Sequence, residues 1–205
     1  MSIVRSYVAQ MIALKKTIDE IKECGIPLLS EIELPFSRLN IACGNHHKKG
    51  YVNVDLKPFK GINALWDMTQ KFPVASGSIT EINFGNSIKH MKMGQVKAVM
   101  KDMVRMLVPS GYIEIAFYDF ERISIQYRLR QVDIPYINTM LYGSADPVRG
   151  EQHHKLIMDE KWLVQVMADL GCTLTIGKTK AWVRTMRFQK GAKRHGKKKT
   201  ASRRN

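Results

Sequence analysis

The stretch from Leu39 to Asp55, LNIACGNHHKKGYVNVD, constrains this chain more than any other. Leu39, Ile41 and Ala42 form an apolar run that suits a buried strand. The run breaks at Cys43-Gly44 into a polar turn, and Tyr51-Val52-Asn53-Val54 then resumes the strand pattern and stops on a carboxylate. A glycine just past a buried strand lets backbone approach a ligand, because it carries no Cβ and tolerates positive φ. An acid ending the next strand can accept the hydroxyl hydrogens of a ribose, as in nucleoside sites of open α/β sheets. Strand, glycine turn, strand and acid together describe a nucleoside pocket.

Only Asn45 to Gly50 separate the turn from the second strand, whereas a parallel crossover normally needs about a dozen residues or more. Any first helix must therefore be very short, or the connection irregular. The absence of Gly-x-Gly-x-x-Gly and of a full first crossover helix argues against a dinucleotide-dependent oxidoreductase.

This stretch resembles the first motif of the small class I S-adenosylmethionine-dependent methyltransferases, in Cys43-Gly44 and in Gly50-Tyr51-Val52-Asn53-Val54-Asp55. Ala42 stands where that family usually has a glycine. The resemblance runs from about Ser37 to Cys172 and includes Arg105-Met106-Leu107-Val108-Pro109-Ser110-Gly111, similar to the family's Arg-x-Leu-x-Pro-Gly-Gly turn. It implies a Rossmann-like α/β fold: a mostly parallel sheet with an antiparallel C-terminal hairpin and helices on both faces. It also implies S-adenosylmethionine as cofactor, held by backbone at Ala42, Cys43, Gly44 and Asn45, by Asp55 at the ribose and by Asp67 near the adenine. For Asp67, followed by Phe72-Pro73 and Gly77-Ser78, the local alternative is a turn cap, which Asp-Met-Thr also suits. The resemblance further places His90 and His154 beside the acceptor as candidate general bases. Lys89 and Asn86 stand where the family has Glu and His. A catalytically decayed fold acting as a basic nucleic-acid-binding module is the rival expectation.

Along the rest of the chain, periodicity predicts an amphipathic helix over Ser2 to Cys24, stopped by Gly25-Ile26-Pro27. A short strand over Asn63 to Leu65 and a central strand over Ile79 to Phe84 follow. A helix is expected over Met93 to Leu107, then a Pro-Ser-Gly turn and a buried strand over Tyr112 to Phe117. Asp159 should cap a further helix. Thr173 to Ile176 and Thr179 to Met186 should pair as a hairpin turning at Gly177-Lys178. Residues 121–150 hold an Arg-rich helix and a long excursion, where the family builds its substrate lid.

A length of 205 residues fits one domain with extensions, here an N-terminal lead-in over 1–35, a methyltransferase domain over 36–186 and a basic tail over 187–205. The formal net charge is +15, of which the acid-free tail from Arg187 onward carries +9. The tail is expected to be disordered and suited to a polyanion, so nucleic acid is a candidate partner beside the unidentified methyl acceptor. No apolar run long enough to span a membrane is present, and Cys24, Cys43 and Cys172 show no metal-ligand spacing. These features suggest a cytoplasmic monomer or homodimer with unpaired thiols. The pairs His46-His47 and His153-His154 read as loop histidines, since adjacent histidines rarely chelate one ion.

Overall fold

The computed structural model describes residues 25–33, 36–146, 150–151 and 153–192, so the expected N-terminal helix lies outside it. The sheet strands are β1 (Arg38–Ile41), β2 (Val52–Asp55), β3 (Ala64–Leu65), β4 (Ile79–Phe84), β5 (Leu107–Tyr118), β8 (Cys172–Lys180) and β9 (Val183–Lys190). They form a seven-stranded sheet in the order β3-β2-β1-β4-β5-β9-β8. The first five are parallel, and β9 and β8 close the sheet antiparallel. A separate two-stranded pair joins β6 (Ala145–Asp146) to β7 (Gly150–Glu151). The helices are α1 (Met93–Met106), α2 (Phe120–Arg128), α3 (Ile134–Tyr142) and α4 (Glu160–Asp169), the last capped by Asp159, whose side chain accepts from Trp162 N–H.

Strand register divides the sheet into an apolar and a polar face. Leu39 pairs with Val52 and Ile82, Ile82 with Ile113, and Ile113 with Phe188, while Ile41, Phe84, Ile115 and Met186 make the next row. Because successive strand residues face opposite sides, these rows share one face. They form the core with Val96, Val99, Met100 and Met103 of α1 and Leu163 and Met167 of α4. The opposite face carries a row Asn53–Asn40–Asn83–Glu114–Arg187 and a row Arg38–Glu81–Tyr112–Gln189.

The short first crossover explains the polar rows. No helix joins β1 to β2; residues 42–51 run back across that face as an irregular loop. Such a loop brings backbone polar groups that need partners. Asn40 Nδ2 donates to His46 O (2.8 Å) and to Asn53 Oδ1 (2.7 Å), and Lys48 N–H donates to Asn53 Oδ1 (2.8 Å). Asn83 Nδ2 donates to Asn40 Oδ1 (2.6 Å), and Lys48 Nζ donates to Asn83 Oδ1 (2.7 Å). Asn40 and Asn53 are thereby buried with their amides bonded.

Three local expectations are corrected. The Pro-Ser-Gly turn is a bulge within a continuous strand: β5 starts directly from α1, and the register passes from Ile79↔Leu107 to Glu81↔Tyr112. Ser110 takes φ 66° there, and a Cβ on Gly111 would lie 3.0 Å from Thr80 O and 3.1 Å from Val108 O, a tight fit against backbone that favours glycine. The hairpin turns at Ala181-Trp182 instead of Gly177-Lys178, which lie within β8, with Ala181 at φ 53°. Finally, β9 continues to Lys190. Arg187 pairs with Glu114 at 2.9 Å, and Lys190 Nζ donates to Val104 O and Leu107 O at the end of α1, so the first tail cations are structural.

Candidate active site

At the carboxyl end of β1 the chain turns through Ala42 (φ 52°) and Gly44 (φ 52°), both left-handed. For alanine that conformation costs about 1–2 kcal/mol, a cost the usual glycine would avoid. The turn is fixed by Cys43 N–H donating to Val54 O (3.2 Å), by His46 N–H donating to Cys43 O (2.9 Å), and by Gly44 N–H donating to Asp55 Oδ2 (2.8 Å). Asp55 Oδ1 accepts from Lys57 N–H (3.1 Å). A carboxylate offers about four lone-pair sites, so half-buried Asp55 retains capacity for a ribose diol. Burial, reinforced by the Asp55 charge, pushes the Cys43 thiol up to about 12, which makes it an inert packing group. Asn45 is exposed on the loop.

Asp67 follows β3, and Trp66 N–H donates to Asp55 O (2.9 Å). Its Oδ1 accepts from Thr69 N–H and Thr69 Oγ1, both at 2.8 Å, so the turn-cap arrangement is present at this position. Two buried polar atoms at this edge of the sheet have no partner among the described residues: Trp66 Nε1 beyond β3 and Asn86 Oδ1 beyond β4. A buried donor or acceptor left unpaired costs about 1–3 kcal/mol, which a polar ligand along the edge would recover. This pair, with the Asp55-braced turn, fits a nucleoside cofactor.

The second half of the site lies beyond β4 and β5. Ser87 Oγ donates to Ala42 O (2.9 Å), tying the end of β4 to the β1 turn, and a 3-10 turn over Ile88–His90 follows. His90 and His154, distant in sequence, bring their rings to 5.1 Å, and Tyr118 at the end of β5 lies 5.8 Å from His154. The segment at Lys155 and Leu156 is pinned by both N–H groups donating to Lys89 O. His154 Nδ1 lies 2.8 Å from Met140 O. Since a carbonyl only accepts, that nitrogen carries the proton and Nε2 presents its lone pair. Burial, with smaller effects of Lys89 and His90, lowers the His154 pKa to about 4, so the ring is neutral at physiological pH.

Sequence reasoning marks Lys89 as standing where the resembled family has a glutamate, but it assigns neither Lys89 nor Tyr118 a role in the site. The Lys89 ammonium stands 4.0 Å from the Tyr118 ring centroid, a cation–π contact. The signal available was position alone: Tyr118 is the last residue of β5, just before the sheet's ligand-binding edge. Asp119 beside it is structural, fully buried, capping α2 and paired with Arg184 at 2.6 Å, while Arg184 also pairs with Glu160. His46 and His47 sit in the β1–β2 loop, and among the described residues no group of three or more His, Cys, Asp or Glu side chains could hold a metal.

The strand order, with its reversed last pair, is matched by solved structures. The chain is similar to a SAM-dependent methyltransferase from Methanosarcina mazei (16% identity, 78% of this chain and 95% of that one, TM-score 0.55). It is also similar to an S-adenosylmethionine-dependent methyltransferase from Mesorhizobium loti (12% identity, 77% and 94% covered, TM-score 0.51). The fold is that of the class I methyltransferases. An O-methyltransferase family protein from Burkholderia thailandensis shares it at 10% identity, over 91% of this chain and 59% of that one, with TM-score 0.52. No protein-family model matches the chain, and no curated protein sequence matches it significantly. Within this methyltransferase fold, the braced β1 turn, Asp55 and the Tyr118–His154–His90 cluster all occupy the carboxyl edge of the parallel strands. No helix among the described residues is long and apolar enough to cross a membrane.

Proposed function

We propose that this chain transfers a methyl group from S-adenosylmethionine to an oxygen or nitrogen acceptor. The observation that carries the reading is the bond from Gly44 N–H to Asp55 Oδ2, which fixes a glycine turn and a carboxylate as one unit at the sheet's carboxyl edge. When bound, S-adenosylmethionine would supply an electrophilic sulfonium methyl carbon, with the neutral sulfide as leaving group for an acceptor lone pair.

The chain's own part is positioning. Asp55 would hold the ribose diol, the Ala42–Asn45 backbone would line the cofactor, and Asp67 would offer its second oxygen to the adenine. Trp66 Nε1 and Asn86 Oδ1 offer a buried donor and acceptor to the same ligand. Across the edge, neutral His154 presents Nε2 to take the acceptor's proton, and Met140 O keeps the ring in the tautomer that can do so. Holding donor and acceptor in line supplies most of the rate in such a displacement. His90 is the second candidate for the proton.

One observation favours a binding module without turnover: Lys89 stacks on Tyr118 at the acceptor end, where the resembled family places a glutamate. Seven of the nine tail cations lie in residues 193–205, which supports attraction to nucleic acid through that segment.

Calorimetric titration of S-adenosylmethionine and S-adenosylhomocysteine into the wild type and Asp55→Ala tests the reading. Micromolar binding in the wild type that Asp55→Ala abolishes supports the cofactor pocket. No heat from folded wild-type protein overturns it. Binding without turnover across RNA, DNA and sugar acceptors would leave the binding module.

A further inference from the structure

Two concavities of about 790 and 780 Å³ meet at Trp182, the residue at the tip of the β8–β9 hairpin. Arg128 and Arg130, at the end of α2, line the first; Lys178 and Lys180, on β8, line the second. All four are exposed and make no ion pair among the described residues. The acids of the two concavities are committed elsewhere. Asp133 caps α3 by accepting from Tyr136 N–H (2.9 Å), and Glu114 pairs with Arg187 and Lys48. Between the two cation pairs, Tyr136 and Trp182 stack edge to face at 5.1 Å, both partly exposed, and Tyr127 is 46% exposed beside them.

We propose that this trough, from Arg128 and Arg130 past the Tyr136–Trp182 ring pair to Lys178 and Lys180, is a docking track for single-stranded nucleic acid. Unpaired cations spaced along a groove neutralise phosphates, and aromatic faces between them stack unpaired bases; the combination is what sequence-tolerant single-strand binders use. A duplex presents its phosphates but keeps its base faces stacked, so it leaves the rings unused. A second copy of this chain is disfavoured by charge, because the molecule carries +15 and the trough adds cations to cations. The track also adjoins the histidine cluster. Trp182 O accepts from Asp119 N–H (3.0 Å), the residue after Tyr118, and α3 contributes both Tyr136 to the rings and Met140 O to His154. A strand held here would pass near that cluster; its use as acceptor rests on the methyltransferase reading, whereas its binding does not.

Fluorescence anisotropy tests the track with full-length protein, no cofactor, and labelled RNA and DNA single strands of about twelve nucleotides, within the usual site range, beside the corresponding duplexes. Single strands of either sugar should bind more tightly than duplexes. Trp182→Ala should weaken single-strand binding about tenfold. Lys178→Glu with Lys180→Glu, on exposed strand positions, should weaken it and flatten the salt dependence by roughly 1.4 in log–log slope, as loss of two phosphate contacts requires. Circular dichroism establishes that both variants fold. Duplexes binding as tightly as single strands would overturn the proposal. So would wild-type affinity in both trough variants, with loss only when Lys197, Lys198 and Lys199 are changed to Gln. A null cofactor titration leaves these outcomes unaffected, so the two readings fail separately.

Discussion

The two faces of the sheet are built from the same strands and solve burial in opposite ways. One face packs Ile82, Phe84, Ile113, Ile115, Met186 and Phe188 against two helices, with every one of these side chains buried. The other replaces a helical cover near β1 with the 42–51 loop and places bonded amides and paired charges beneath it. Parallel strands are commonly apolar on both sides because helices cover both. Here the ten-residue β1–β2 connection removes one such helix. The chain meets the loop's polar backbone with asparagines in register, so a short crossover dictates the chemistry of a whole face.

The contrast predicts graded costs. Phe84→Ala, on the apolar face, should lose about 3–5 kcal/mol of stability, since a wholly buried ring is removed and a cavity is left. Chemical denaturation measures it, and a loss under 1 kcal/mol would place the stabilising core elsewhere. Asn40→Leu, on the polar face, should cost less, about 1–3 kcal/mol, despite adding apolar volume. It strips partners from Asn53 Oδ1, Asn83 Nδ2 and His46 O at once. A neutral or stabilising result would mean that the loop re-forms its bonds without the amide.

The smallest effect should come from Glu81. The Tyr51 hydroxyl, 2.5 Å from Glu81 Oε2, holds this carboxyl below the usual carboxylate range, with Tyr112, Arg38 and Arg187 adding to it against the cost of burial. A lowered folded-state pKa means that the unfolded chain binds the proton more readily. The contribution is therefore complete above the unfolded value, about pH 4.3, and is lost as pH falls through the lower folded value. Solvent screening at this partly exposed site limits it to about 1 kcal/mol or less. Acid unfolding followed by fluorescence should show wild type and Glu81→Gln differing at neutral pH and converging below about pH 4. A constant offset throughout would assign the effect to packing.

Much of the fold was legible because short-range patterns set it. The apolar alternation of Ile79 to Phe84 marks β4 at its observed ends, the Met93 to Leu107 period marks α1, and Asp159 caps its helix. The hairpin tip was not legible. Gly177 and Lys178 carry a turn signature, yet cross-strand pairing with Met186 and Thr185 holds them extended, and the reversal falls on Ala181, a residue with no special preference for positive φ. Lys190 likewise reads as part of a charged tail until β9 brings its ammonium to the carbonyls ending α1. The helix over Ile134–Tyr142 reads as part of a long excursion: none of its residues is fully buried, and Tyr136, Ile137, Met140 and Leu141 are only half-buried along one side.

The sequence alone determined the strand–turn–strand–acid unit, because it depends on neighbours within a few residues: side-chain alternation, a glycine's freedom and a carboxylate at a strand end; the class of sheet came with the resemblance of those motifs to a known family. Tertiary structure decided what meets across the chain. It brought His154 to His90 and Tyr118, set Asn40 between Asn53 and Asn83, and put Trp182 at the wall shared by one concavity lined by Arg128 and another lined by Lys178. Those contacts depend on strand order and register, which are fixed by the packing of the whole sheet and by no local pattern of residues.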